Sequence, residues 1–204
     1  MVMLTTEAAA RVRSAIMAAE RNTDAEFVAV LAREADAYRF VPTLWAALLC
    51  LPTPLLLMNL SWWLTTIDVL ILQVVVFVVL ALLFRIPGLK HWLVPDVIKE
   101  RRAEDLAVRQ FLEQGVHRTA QGLGVLFFVA EAEHHVRLIA DHGIDRHVDQ
   151  TEWQRIVDGF TARVKRGETE NGFLEAVSEV SAIMQRVAPA THTRDELPNH
   201  LIIL

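Results

Sequence analysis

Between Val41 and Phe84 the chain carries one formal charge, Asp68, in an apolar block with polar sequence on both sides. A membrane-spanning helix needs roughly 20 apolar residues to cross a hydrocarbon core of about 30 Å. The block is long enough for two, and Asn59-Leu60-Ser61 is the only polar break where it can turn. A two-helix transmembrane hairpin is therefore expected over 41–84, with spans near 42–58 and 62–84. Two spans return the chain to the side it left, so residues 1–39 and 90–204 face one compartment.

Charge sets the orientation. Arg33 and Arg39 precede the first span, and Arg85, Lys90, Lys99, Arg101 and Arg102 follow the second, whereas Met58–Trp63 has no lysine or arginine. Positive residues stay on the cytoplasmic side, so both soluble arms are expected there. Near anionic lipid each such charge contributes about 1 kcal/mol of surface attraction. Trp45, Trp62, Trp63 and Trp92 fall near the span ends, as interfacial aromatics do. Met1–Glu20 has no long apolar core, so a cleaved leader is not expected. A net charge of −5 provides no basic field for nucleic acid. The single cysteine, Cys50, excludes an internal disulfide and a cysteine zinc site.

The spans contain four candidate membrane or partner contacts. Pro52 and Pro54 each remove a helix hydrogen bond. Either the helix kinks with its freed carbonyls satisfied locally, or the segment is re-entrant or offers a partner-binding kink. Asp68 and Gln73 pose a similar choice. An aspartate at mid-membrane costs about 2.5–3.5 kcal/mol on insertion scales, so Asp68 is either solvated and hydrogen-bonded near the interface or in polar contact with another membrane helix.

The polar arms read as an interrupted α/β domain. Thr5 or Thr6 caps a helix to about Asn22, with Ala8, Val12, Ala15, Ile16 and Ala19 as its apolar stripe. Glu26–Ala32 is an apolar run suited to a strand buried on both faces. Asp96 is expected to cap a helix to about Gln114, buried through Ala103, Leu106, Ala107 and Phe111. Val125–Val129 and His135–Ala140 form a strand pair across the turn Glu131–His134. Asp149 and Glu152 have capping-box spacing before a helix carrying Trp153, Ile156, Val157, Phe160 and Val164. A last helix, about Glu170–Val187, aligns Phe173, Val177, Val180, Met184 and Val187. Neither arm has enough strands for a sheet alone. Residues 1–39 and 90–204 are therefore expected to form one discontinuous domain around a small mixed sheet.

This order resembles the TPM domain family, in particular bacterial membrane forms with paired spans inside the domain. The matching stretches are Ala25–Arg33 with Tyr38, the run Gly124–Gly143, the Trp153-x-x-Ile156-Val157 helix, Gly172-Phe173 and the tail Asp195–Asn199. The resemblance implies a compact α/β sandwich in a bacterial inner (cell) membrane protein. Its members differ in role: some act in photosystem maintenance, one modulates a receptor channel, and some are described as phosphatases or calcium binders. Many work in a lumen or periplasm, unlike the cytoplasmic side expected here. Bacterial forms are often associated with LemA-like membrane proteins, which makes such a protein a partner by analogy.

The densest titratable stretch is Glu131, Glu133, His134, His135, Asp141, His142, Asp145, His147 and Asp149. Carboxylates at strand ends can hold a hard cation through oxygen, so Asp141, Asp145 and Glu133 are the candidate ligands for Ca or Mg. His134 and His142 are the candidate proton carriers for metal-assisted phosphate chemistry. The competing reading assigns the same residues to turns, a solvated edge and, at Asp149, a helix cap. His134 and His135, if both in a strand, point to opposite faces. Gly143 permits a left-handed or tight backbone beside Asp141. The chain has no EF-hand loop, P-loop, HExxH or GxSxG, and Gly122-x-Gly124 is too short for a nucleotide motif. The reading favoured by sequence is a membrane-anchored interaction or scaffold module that modulates an envelope membrane protein, with no certain cofactor. The alternative is a divalent-metal-dependent phosphatase.

Overall fold

A computed structural model of the protein describes residues 4–60, 65–86, 89, 92–191, 197 and 201–204. In chain order the elements are α1 (Thr6–Glu20), β1 (Glu26–Ala32), α2 (Phe40–Cys50), α3 (Thr53–Leu60), α4 (Thr66–Leu83), α5 (Asp96–Glu113), β2 (Gly124–Ala130), β3 (His135–Ala140), α6 (His142–Asp145), α7 (Gln150–Lys165), α8 (Thr169–Val187) and β4 (Leu201–Ile203). The chain divides into two compact units, residues 1–35 with 100–204 and residues 36–99.

The first unit is built on β1 and β2, which are buried at every position. Strands covered on both faces need apolar side chains throughout, and Phe27–Leu31 and Val125–Val129 supply them. The two pair in parallel from Glu26↔Gly124 to Ala32↔Ala130. β3 runs antiparallel beside β2, and β4 joins β1 in parallel. Among the described residues the strand order is β3-β2-β1-β4.

Helices cover both faces. On one, α1, α7 and α8 bury Val12, Ile16, Ile156, Phe160, Phe173 and Val180 against Phe27, Ala29, Leu31, Val125, Phe127 and Val129. Phe127, Phe160 and Phe173 meet edge to face, with ring centroids 4.9–5.7 Å apart, a geometry that adds about 0.5–1.5 kcal/mol per pair beyond area burial. On the other face α5 sets Ala103 and Ala107, both fully buried, against Val28, Val30, Leu126 and Phe128. Two alanines four residues apart keep that helix face flat and close to the sheet.

Local chemistry fixes the helix ends. Thr5 caps α1 by accepting from Ala8 N at 3.2 Å. Asp149 caps α7 by accepting from Thr151 N at 2.8 Å. The expected capping box does not form: the Asp149 side chain accepts from the second helical amide and not from Glu152 N, and the Glu152 carboxylate accepts from Arg186. Asp96 is not a cap either. It is the first residue of α5, and its carboxylate accepts from Lys99 Nζ at 2.9 Å. β4 and α6 were not foreseen.

In the second unit α2 and α4 lie against each other. The seam uses Pro42, Ala46 and Cys50 of α2, all buried. The less exposed positions of α4 are Val69, Gln73, Val76, Phe77, Leu80 and Ala81, so Gln73 lies on the less exposed stripe of that helix. Helix contact through small residues suits an apolar solvent. The apolar arm breaks into α2 and α3 at Leu51-Pro52. Pro52 lends its carbonyl to Leu56 N at 3.0 Å, and Pro54 is the second residue of α3, where a missing N–H breaks no bond. α3 runs through Asn59 and Leu60, where a turn was expected. The rest of that turn, with Trp62 and Trp63, lies outside the described residues, as do Lys90 and most of the tail Asp195–Asn199.

Asp68 lies near the start of α4. It is the third residue of α4 and completes a capping box with Thr65, accepting from Thr65 N at 3.0 Å and Thr65 Oγ1 at 2.6 Å. Tyr38, Val41 and Val94 form a small buried cluster with Trp45, Leu93 and Ile98, and Trp45 Nε1 donates to Leu93 O at 3.0 Å.

Phe127→Ala is expected to destabilise the first unit by about 3–5 kcal/mol, by lost burial and a residual cavity. Val108→Ala, on the exposed side of α5, should change stability by no more than about 0.5 kcal/mol. Denaturant unfolding of the full chain in detergent, followed by Trp153 fluorescence, checks the contrast.

Candidate functional site

The titratable stretch is divided by β3. Six strand residues at about 3.4 Å each separate the Glu133–His134 end from the Asp141–Asp145 end by about 20 Å. A single cation cannot bridge that distance, so Glu133 does not join Asp141 and Asp145. Among the described residues no group of three or more His, Cys, Asp or Glu side chains is arranged to hold a metal.

At the first end, Glu131–His134 form the β2–β3 turn. Glu133 accepts from Ala35 N at 3.0 Å, tying the turn to the chain leaving β1. His134 is not in a strand: it takes a left-handed φ of 52°, and β3 begins at His135. Glu131 is buried, and its Oε1 has no hydrogen-bond partner among the described residues. Burial raises its pKa, against a smaller opposing pull from Arg33. His135 has a buried Nε2 without a partner among the described residues. Burial holds its pKa below the ordinary value, with Glu104 and Glu100 pulling upward and Arg137 adding to the fall. The histidine with a perturbed titration is therefore His135, which was not a candidate proton carrier. Its position at the head of an apolar strand was the signal.

At the second end, Asp141 caps the single turn α6 by accepting from His142 N at 2.7 Å, and lies 2.9 Å from His142 Nδ1. His142 and Asp145 are exposed. His147 Nδ1 is 3.0 Å from Gly143 O. Asp149 is the α7 cap, and its bonds from Thr151 hold its pKa low. Of the tight or left-handed backbone expected at Gly143, the left-handed φ is not adopted. Gly143 is needed for proximity: a Cβ there would lie 2.4 Å from Gln121 O and 2.6 Å from Gly122 O. Gly122 does take a positive φ, 67°, and a Cβ on it would meet the His142 ring at 2.3 Å. Gly122 and Gly143 thus allow a close approach of the 121–122 backbone and α6, and Gly124 lets β2 begin against Val116, where a Cβ would lie 2.2 Å from Val116 O. Asp141 and His142 adjoin through a cap.

A groove of about 540 Å³ runs between these ends. Its floor is the whole of β3, and Glu100, Asp145, Gln150, Trp153, Gln154 and Val157 line its sides. In the second unit a smaller hollow of about 410 Å³ is lined by Ala37, Arg39, Pro42 and Arg85.

Comparison with known proteins agrees with this architecture. Residues 92–183 match the family model of the TPM domain. The NMR structure of the BA42 protein from the psychrophilic bacterium Bizionia argentinensis superposes with a TM-score of 0.62 at 17% identity. The match covers 100% of this chain and 97% of that one, which shows a shared fold. No curated protein matches the sequence.

Two substitutions test the site's construction. Gly143→Ala should lower the unfolding midpoint, because its Cβ would collide with two backbone oxygens. For Glu131 the sign follows from linkage. The folded state holds this proton more tightly than the unfolded chain, so Glu131 costs stability as pH rises above 4.5, the ordinary value. Glu131→Gln should therefore raise the melting temperature at pH 7 and change it little at pH 4, as thermal scans at the two pH values would show.

Proposed function

With a TPM domain carried on residues 92–183 as the premise, we propose that this protein is a membrane-anchored interaction module that modulates an envelope membrane protein. The observation that carries the reading is the surface of the hairpin helices. Phe40–Leu57 and Thr66–Leu83 are long and apolar enough to span a bilayer, yet only 22% and 6% of them is buried. A core helix of a soluble protein would be mostly buried. Here Leu44, Leu48, Leu55, Leu70, Val74 and Val78 point outward, an apolar patch that needs lipid or a partner to cover it.

The arginines and lysines flanking the spans support a cytoplasmic position for both arms of the α/β domain, in a bacterial inner membrane. The partner is another membrane protein, LemA-like by analogy, reached through a face of the domain or through the hairpin. Of the residues singled out in the spans, Pro52 and Pro54 shape the α2–α3 break, Asp68 caps α4 and Gln73 lies on the less exposed stripe of α4. The intact hairpin, and no single polar side chain, is then the contact. The metal-dependent phosphatase reading gains nothing from the separation of Glu133 from Asp141 and Asp145.

In a Cys50→Ser background, Asn59→Cys should react with a membrane-impermeant maleimide in intact cells, and Val108→Cys only after lysis. Labelling of Val108→Cys in intact cells would reverse the orientation. Replacing 41–84 with an unrelated two-span hairpin should abolish capture of the membrane partner from detergent extracts. Undiminished capture would remove the hairpin from the contact.

A further inference from the structure

The two edges of the sheet are treated differently. An open edge is a template for another strand, and proteins keep such edges short, charged or covered. β4 has three residues, and Arg13 Nη2 donates to Leu201 O at 3.4 Å. β3 has six residues, none of them fully buried, and all six line the groove.

The register shows which groups face outward. Asp141 N donates to Gly124 O at 2.8 Å, continuing the pairing Val125↔Ala140 by one step. Bonded and non-bonded pairs alternate along an antiparallel ladder, so Ile139, Arg137 and His135 direct their N–H and C=O groups toward β2. Val136, Leu138 and Ala140 direct theirs away. Those three N–H groups have no acceptor among the described residues. The side chains of Val136, Leu138 and Ala140 pack on the α7–α8 face of the sheet. What they offer the groove is chiefly backbone, with three donors and three acceptors at two-residue spacing.

Charge selects the occupant. Asp145 lies just beyond the Ala140 end of the groove, and Glu100 approaches the His135 end. The one cation on β3, Arg137, is already paired with Glu104. A second copy of this chain is disfavoured, because two-fold antiparallel pairing of β3 with β3 would set the Glu100 end of one copy against the Asp145 end of the other. The volume lies within the roughly 300–1,000 Å³ of ligand clefts, room for a short extended segment.

We infer that the β3 edge takes an extended peptide segment as an added strand, its backbone bonding to Val136, Leu138 and Ala140 and its lysines or arginines meeting Glu100 and Asp145. The inference rests on the interaction-module reading and specifies the chemistry of one contact. Strand addition draws affinity from main-chain hydrogen bonds and selectivity from the side chains at the ends.

The test uses the full-length protein in nanodiscs of zwitterionic lipid, which gives a basic peptide no anionic surface. The probes are a labelled heptapeptide of alternating valine and threonine with lysine at both ends, the same peptide N-methylated at alternate residues, and one with glutamate at both ends. Fluorescence anisotropy should show saturable binding of the first, and weakening of about tenfold or more for the other two. Glu100→Lys with Asp145→Lys should reverse the preference between lysine- and glutamate-ended peptides, with circular dichroism confirming an intact fold. Hydrogen exchange should slow at Val136, Leu138 and Ala140 when the lysine peptide is bound. Equal binding of the N-methylated or acidic peptide, no saturation, protection elsewhere, or a β3–β3 dimer that the peptide does not dissociate would each overturn the inference. If peptide binding fails while hairpin-dependent capture of the membrane partner persists, only this inference falls. Failure of both removes the interaction module itself.

Discussion

Seven parallel register pairs between β1 and β2 join chain that is separated by residues 36–99 and α5. Everything else in the first unit depends on that pairing. β1 has β4 on its other side and β2 has β3, so without it the sheet falls into two two-stranded pieces, neither stable by itself in water. Both helical layers lose their floor at the same time, because alternate residues of β1 and β2 face opposite layers. The intervening chain costs little by comparison. Loop-closure entropy grows by only about 0.6 kcal/mol for each doubling of length, while each buried Val, Leu, Ile or Phe contributes about 1.5–3 kcal/mol. A long insertion is therefore tolerated at this connection, and here the insertion consists of two apolar helices.

The same logic explains what was legible in the chain. β1 and β2 are central and covered on both faces, so each leaves a continuous apolar run. α1, α7 and α8 bury one stripe each, at the period of a helix. β4 leaves no such trace: it is three residues long and exists only through its bonds to β1. The cluster of acids and histidines is dense in sequence but divided in space. Eight residues from Glu133 to Asp141 would cover about 12 Å as a helix, but most of that interval is extended strand, which sends its ends apart. Asp68 has its partner three residues back, in the Thr65 cap, so the charge sits at a helix end.

The glycines divide along the same line. Gly122 could be read as a conformational need, and it does adopt a positive φ. Gly143 could not, because its constraint comes from a backbone segment some twenty positions earlier that sequence spacing does not place beside it. What remains at the surface is a long open sheet edge between acidic groups, and a hairpin with apolar sides. They lie on the two units separately.

Native-state hydrogen exchange on the full-length protein in nanodiscs tests the central claim most directly. If β1 and β2 form one sheet across the inserted hairpin, the amides of Val28, Val30, Leu126 and Phe128 should be among the slowest to exchange and share one opening free energy. Fast exchange throughout 26–32 beside a fully protected 124–130 would contradict it.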